Sequence, residues 1–362
     1  MISKKFFESL EDIAVDRNLD IKDILDKVEV AMAIACKNSD VPYKGTIKID
    51  VDYDKKKIEF FNYLYVVDEV DPEGPRGQIT LDEALEIRQR VKVGSEIKER
   101  VDLKSFKRKA ASMFKQNFLN ELKTLEREKA YEHFVELEGE VVTGRVVATN
   151  PKFVTLSLGY GVEATMLTRE IFEDESYEIG ETKKVYITRV EKTGKGPKVF
   201  ISRTTRELVR KLFEMNIPEI ADGSVEIMGI AREPGSRSKV GVMALNSDID
   251  PKGACVGSGG IRIKAINDAL NGEKIDVFMW HEDDPVNLIA ESLSPAKVLS
   301  VIPEPKTKKA TVVVDDDQFS LAIGSKGQNV KLAVLATGWK IDIKKVSDAN
   351  EEGIEFSYNV EN

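Results

Sequence analysis

Histidine and cysteine are almost missing from this 362-residue chain: His133, His281, Cys36 and Cys255 are the whole complement. Two distant cysteines exclude a disulfide scaffold and fit a reducing compartment. Four scattered ligands leave a zinc site almost nothing to draw on, so no metal is expected. The shortage of histidine also removes the usual general acid or base, and neither GxxxxGK[ST] nor HExxH occurs. No catalytic constellation stands out, and neither an enzyme nor a cofactor is expected. No apolar run approaches the ~18–20 residues of a membrane span, and the opening MISKKFFESL has no signal-peptide core. The expectation is a cytoplasmic protein without membrane contact.

What remains is a soluble globular composition, 41% apolar and 32% charged, long enough for two to four domains. The net charge of −9 argues against binding nucleic acid by bulk charge. Its distribution says more. From Ser347 onward there are five acidic residues and no basic ones, an acidic tail (347–362) expected to be mobile. Residues 251–346 hold 13 basic against 12 acidic groups, so recognition there rests on local geometry.

The first 136 residues read as a mixed α/β domain. Phe6, Phe7, Leu10 and Ile13 recur at helical spacing, and Asp20 is placed to cap a second helix bearing Ile24, Val28, Ala31, Met32 and Ala35. Alternating β-branched runs at 45–51 and 57–67 predict a hairpin, and Thr80 opens a capped short helix. A long connecting helix from about Lys104 to Tyr131 carries Phe106, Ala110, Met113, Phe114, Phe118, Leu122 and Leu125 as one stripe. Its eight basic and three acidic residues between Lys104 and Lys129 suit either a solvated face or a docking surface for an acidic partner or nucleic acid.

Five short strands then fall within 137–205, the pattern of a small OB-type β-barrel. Arg145, Lys152, Phe153 and Tyr160 are its candidate RNA contacts, as stacking platforms beside a basic groove. Phe153 fits a core position equally well, whereas Tyr160 between Gly159 and Gly161 is harder to bury.

One short sentence is then written twice. VGSGGIRIKAINDAL…KIDV starts at Val256 and IGSKGQNVKLAVLAT…KIDI at Ile323, about 67 residues later, too widely spaced for a solenoid. Each copy sits in an α-β-β-α-α-β reading, which predicts two tandem bacterial-type (type II) KH modules at 206–296 and 297–346. The fold class is therefore multidomain α+β. A GxxG turn lets phosphate approach backbone without a Cβ in the way, and the next helix offers unpaired amides and a positive dipole end. Gly324, Ser325, Lys326 and Gly327, followed by Gln328, Asn329 and Lys331, meet every demand of such a clamp. Gly257, Ser258, Gly259 and Gly260 lack an internal charge, so Arg262 and Lys264 are expected to take over the phosphate contact. Asp315, Asp316 and Asp317 are read as the cap and first turn of the helix that follows, not as a magnesium site.

The runs from Leu212 to Ile266, Ser292 to Val298 and Leu321 to Trp339 resemble the NusA family of bacterial transcription factors, as does the order of domains. The resemblance covers nearly the whole chain. It implies an N-terminal domain that docks on core RNA polymerase, and a barrel of the type named after the largest small-subunit ribosomal protein. It also implies that barrel and KH modules follow nascent single-stranded RNA, that other antitermination factors are partners, and that pausing, intrinsic termination and antitermination are modulated by a non-enzymatic, monomeric protein. Carried over by position, Arg203 joins the RNA contacts. Three departures stand out: Ser258 and Gly259 where the family usually has a basic residue, Lys107 where it commonly has glycine, and none of the acidic C-terminal repeats that some relatives carry after the second KH module. Loss of autoinhibition is the expectation if such repeats mask RNA-binding surface. The alternative is a ribosome- or RNA-processing-associated RNA-binding protein without polymerase contact. Phosphorolytic nucleases also join KH to OB modules, but in the reverse order and behind catalytic domains.

Overall fold

The computed structural model describes residues 4–38, 43–103, 106, 108–172, 175–246 and 248–360. Lys104 and Lys107, named above, lie outside them. The chain forms two compact units, residues 1–136 with 191–197, and 137–190 with 198–362.

In the first unit, α1 (Lys4–Arg17) and α2 (Ile21–Lys37) precede β1 (Thr46–Asp52), β2 (Lys57–Val67), β3 (Gln78–Thr80), α3 (Leu81–Ile87), β4 (Glu96–Arg100) and α4 (Arg108–Glu136). Asp20 caps α2 by accepting from the Lys22 amide, and Thr80 with Glu83 forms a reciprocal capping box on α3. The 11-residue β2 pairs with β1, β3 and β4, and its strict alternation sends Ile58, Phe60, Leu64 and Val66 inward. Ile24, Val28, Ala31 and Met32 of α2 meet Phe118, Leu122 and Leu125 of α4 in one core. Each of the larger side chains so buried contributes about 1.5–3 kcal/mol. Met113 and Phe114 of the expected stripe are only half-buried.

The second unit opens with five strands, β5 (Val141–Asn150), β6 (Phe153–Gly159), β7 (Val162–Leu167), β8 (Thr182–Thr193) and β9 (Gly196–Ser202), the adjoining ends of the last two (191–197) being grouped with the first unit. Their order in the sheet is β7-β6-β5-β8-β9. Val162, Ala164 and Met166 on β7 alternate inward with exposed neighbours, as a closing barrel wall requires.

Two α-β-β-α-α-β modules follow. The first comprises α5 (Arg206–Asn216), the short α6 (Pro218–Ala221), β10 (Val225–Glu233), β11 (Arg237–Ala244), α7 (Pro251–Val256), α8 (Ile261–Ala269) and β12 (Lys274–Met279). The second comprises α9 (Pro285–Ser292), β13 (Ser300–Glu304), β14 (Lys309–Val314), α10 (Phe319–Ile323), α11 (Gln328–Thr337) and β15 (Lys340–Lys345), with α12 (Val346–Glu351) beyond it. In both sheets the first two strands are antiparallel and the third runs parallel to the second.

Two sequence expectations change here. Residues 285–293, read as the end of the first module, place Leu288, Ile289 and Leu293 against Val301, Val312 and Leu332, so α9 opens the second. The acidic tail, read as mobile, forms α12, and the Asn359 side chain then exchanges hydrogen bonds with both backbone groups of Val301 (2.9 and 2.8 Å). Net charge is a poor guide where one amide can pair with a sheet edge.

The two modules share a core, because Ala231 and Phe278 of the first pack within the apolar cluster of the second. Gly229 lies so close to the Ala336 carbonyl that a side chain would strike it. Lys239, fully buried, donates to the Ser294 carbonyl at 2.7 Å and lies 3.5 Å from Asp276.

Candidate nucleic-acid interface

The two GxxG loops adopt one conformation. Gly257 and Gly324 leave the preceding helices at φ 74°, ψ 169° and φ 76°, ψ 171°. The third positions, Gly259 (φ 63°) and Lys326 (φ 52°), and the fourth, Gly260 (φ 77°) and Gly327 (φ 75°), are left-handed. The roles of the glycines differ. A Cβ on Gly324 would meet Asn329 at 2.8 Å, whereas one on Gly327 meets nothing. The first glycine is demanded by packing and the last by its backbone angle. Lys326 holds at third position a conformation that costs a non-glycine residue about 1–2 kcal/mol. The second loop thus keeps a charge at its apex against local preference, where the first has glycine.

Neither α8 nor α11 has a side-chain cap at its N-terminus, so the first-turn amides face the loop apex. Ser258, Gly259, Lys264, Ser325, Lys326 and Lys331 are exposed, and the three lysines make no ion pair among the described residues. That arrangement can receive an anionic backbone.

Three candidate contacts play other parts. Asn329 is 2% exposed, and its Nδ2 donates to the carbonyls of Leu293 (2.9 Å) and Ala322 (3.0 Å). It braces the second loop from beneath and has no surface to offer. Arg262 commits Nη1 to Glu219 (2.8 Å) and the Ala254 carbonyl (2.7 Å), which ties the first loop to α6 and α7. Gln328 donates to the Ser236 hydroxyl at 2.7 Å and so joins the second loop to the β10–β11 turn of the first module.

Arg203 is the plainest correction. It is 0% exposed and forms a two-point pair with Glu175 (Nε 2.7 Å, Nη2 2.6 Å), equally buried. Nη1 donates to the Lys184 carbonyl, and Nη2 also reaches the Ala269 carbonyl at the end of α8 (3.2 Å). Tyr177 donates to the same carboxylate at 2.6 Å, and burial first, then that bond, push its phenol well above the usual range. A guanidinium this far inside joins barrel to first module and cannot touch RNA.

The barrel candidates do not converge. Lys152 and Phe153 lie at the β5–β6 turn, where the Asn150 side chain accepts from both backbone amides. Tyr160 lies past the other end of β6, about 20 Å away at the usual strand rise. Phe153 is half-buried, Tyr160 is 44% exposed at φ +52°, and the exposed Arg145 pairs with Ser157 near the Tyr160 end. Sequence reasoning passed over Phe200, half-exposed with Arg189 and Lys198 over its ring at 4.5 and 4.7 Å. Its opposite parity to buried Val199 and Ile201 was the available signal. The three aspartates before α10 do not cap it; Asp316 instead accepts from the Ser347 amide at the start of α12.

Comparison with known proteins covers the chain almost end to end. Residues 5–128 match the NusA N-terminal domain, 137–202 the S1 RNA binding domain, 203–280 the NusA-like first KH domain and 285–351 the NusA-like second KH domain. The transcription termination/antitermination protein NusA of Bacillus subtilis is 40% identical over 98% of this chain and 94% of its own length. The chain belongs to the NusA family. The Halalkalibacterium halodurans NusA is 39% identical over 98% of this chain and 91% of its own. For that of Thermus thermophilus the figures are 37%, 97% and 92%. Among the described residues no helix is long and apolar enough to cross a membrane, and no cluster of three or more acidic, histidine or cysteine side chains could hold a metal ion.

Proposed function

We propose that this chain is a non-enzymatic transcription elongation factor. It binds core RNA polymerase through its N-terminal domain and nascent single-stranded RNA through the barrel and KH modules, and it modulates pausing, intrinsic termination and antitermination. The observation that carries the reading is the four-domain NusA match together with two GxxG loops of one conformation. Gly257, Ser258, Gly259, Gly260 and Lys264 on one side, and Gly324, Ser325, Lys326, Gly327 and Lys331 on the other, are the proposed backbone contacts. Lys326 makes the second clamp the stronger. Arg145, Lys152, Phe153 and Tyr160 remain proposed barrel contacts at two separate places. The protein acts in the cytoplasm as a monomer, alongside other antitermination factors.

Transcription of a hairpin-pause template with purified polymerase tests the reading. Longer pauses and altered termination are expected on adding the protein, and unchanged pause lifetimes and termination efficiency would sink it. Co-purification with ribosomal subunits in place of polymerase would favour a ribosomal role.

A further inference from the structure

The turns between the first two strands of the KH modules both begin Glu-Pro, at Glu233 and Glu304, and then diverge, through Gly235 and Ser236 in the first and through Lys306, Thr307 and Lys308 in the second. The Lys274 amide donates to the Ser236 carbonyl (3.1 Å), and the Lys340 amide to that of Lys308 (2.8 Å). Arg237 pairs with Lys274 as Lys309 pairs with Lys340, and Glu233 closes on Arg237 as Glu304 closes on Lys309. Lys308 therefore occupies in the second module the place of Ser236 in the first. Ser236 is the residue that touches the GxxG helix of the next module, through Gln328.

This gives the track a repeat length. From the first loop, α8 runs nine residues, about 14 Å at 1.5 Å per residue, toward β12 and the Ser236 turn, where the second loop sits. From the second loop, α11 runs ten residues, about 15 Å, toward β15 and the Lys308 turn. No third module meets that turn within the described residues. Lys306, Lys308, Lys309 and Lys340 gather there instead, all exposed and without an ion pair among the described residues. Of the neighbouring acids, Glu304 accepts from the Thr307 hydroxyl (3.0 Å) and Asp342, the counterpart of Asp276, lies 4.0 Å from Lys344. The corresponding residues of the first module are less basic: Ser236 is neutral and Arg237 lies 3.6 Å from Asp276.

We propose that these four lysines form a third phosphate-binding station for single-stranded RNA, one module length beyond the second loop. The proposal rests on the RNA-binding reading above. A KH module holds about four nucleotides, so RNA of about eight spans the two loops and about twelve reaches the lysine turn. The test titrates the full chain with labelled mixed-sequence single-stranded RNAs of those two lengths. The comparison protein carries Lys306→Ala, Lys308→Ala and Lys309→Ala, all at exposed positions.

The native chain should bind the longer RNA at least severalfold tighter than the shorter. The variant should lose that gain while keeping native affinity for the shorter RNA, and its salt slope on the longer RNA should fall by about 0.7 for each lost phosphate contact. Equal binding of the longer RNA by both proteins overturns the third station and leaves the two loops standing. A native chain that binds neither RNA overturns the RNA-binding reading itself.

Discussion

The Gln328 side-chain amide donates to the Ser236 hydroxyl at 2.7 Å across 92 residues of sequence. The turn that carries Ser236 is itself fixed from below. Buried Glu273 accepts from the Gly235 amide (3.0 Å), from the Ser238 hydroxyl (2.6 Å) and from the Arg232 guanidinium (2.9 Å). The first residue of α11 is thus referred to the buried ionic core of the preceding module. A double-mutant cycle of Ser236→Ala and Gln328→Ala should return a coupling of about 0.5–1.5 kcal/mol. Independent effects on stability would mean that the contact holds nothing.

Gly327→Asp should keep the fold at a cost of about 1–2 kcal/mol, because its Cβ meets no atom within 4 Å but its φ of +75° strains any side chain, aspartate less than most. The new carboxylate would stand where phosphate is proposed to lie, and RNA affinity should fall at least tenfold. Filter binding beside a circular-dichroism melt separates the two effects. Native affinity in the variant would show the second clamp to be misassigned.

Arg203→Met should destabilise the second unit by about 3–5 kcal/mol, since it leaves the Glu175 carboxylate buried without its main partner. Adding Glu175→Leu should recover part of that loss. The check is chemical denaturation of both variants. If the single variant kept full stability but bound RNA poorly, Arg203 would be a ligand after all.

Lys239 gives a pH dependence with a definite sign. Burial, opposed in part by Asp276 and aided slightly by Arg237, brings its ammonium down to about 8 from the ordinary lysine value of 10.5. Below pH 8 the group is charged folded and unfolded, so its desolvation penalty is constant. Between pH 8 and 10.5 the folded chain gives up the proton while the unfolded chain keeps it, and this group's contribution to stability rises by up to about 1.4 kcal/mol per pH unit. Any stability advantage of Lys239→Met should therefore be flat below pH 8 and shrink above it. Exposed lysines with raised values, such as Lys56 and Lys98, are common to both proteins and cancel in the difference. A gap that does not change from pH 7 to 10 would refute this account.

What could be read in advance was whatever depends on near neighbours in sequence. The caps at Asp20 and Thr80, the barrel alternation and both GxxG turns follow from residues within a few positions of each other. Burial set by distant partners could not be read. Arg203 joined the RNA contacts only through the family resemblance, and nothing near it in sequence points to Glu175, 28 positions earlier, as its buried partner. Asn329 looked like a ligand because the Leu293 carbonyl it supports lies 36 residues away. The assignment of α9 failed similarly, since a linker sequence does not say which of two adjoining cores will take its apolar face.

The amide of Asn359 bears on how the protein can be handled. β13 is an outer strand, and Asn359 occupies both hydrogen-bonding groups of Val301 there, while Pro303 brings no amide of its own. A chain cut after β15 would lay that edge bare beside the apolar residues that Val360 helps to cover. Such a truncation should dimerise or precipitate as its concentration rises, with sedimentation as the measure. Residues 359 and 360 then act as a stopper on the sheet, and trimming them for convenience would invite aggregation.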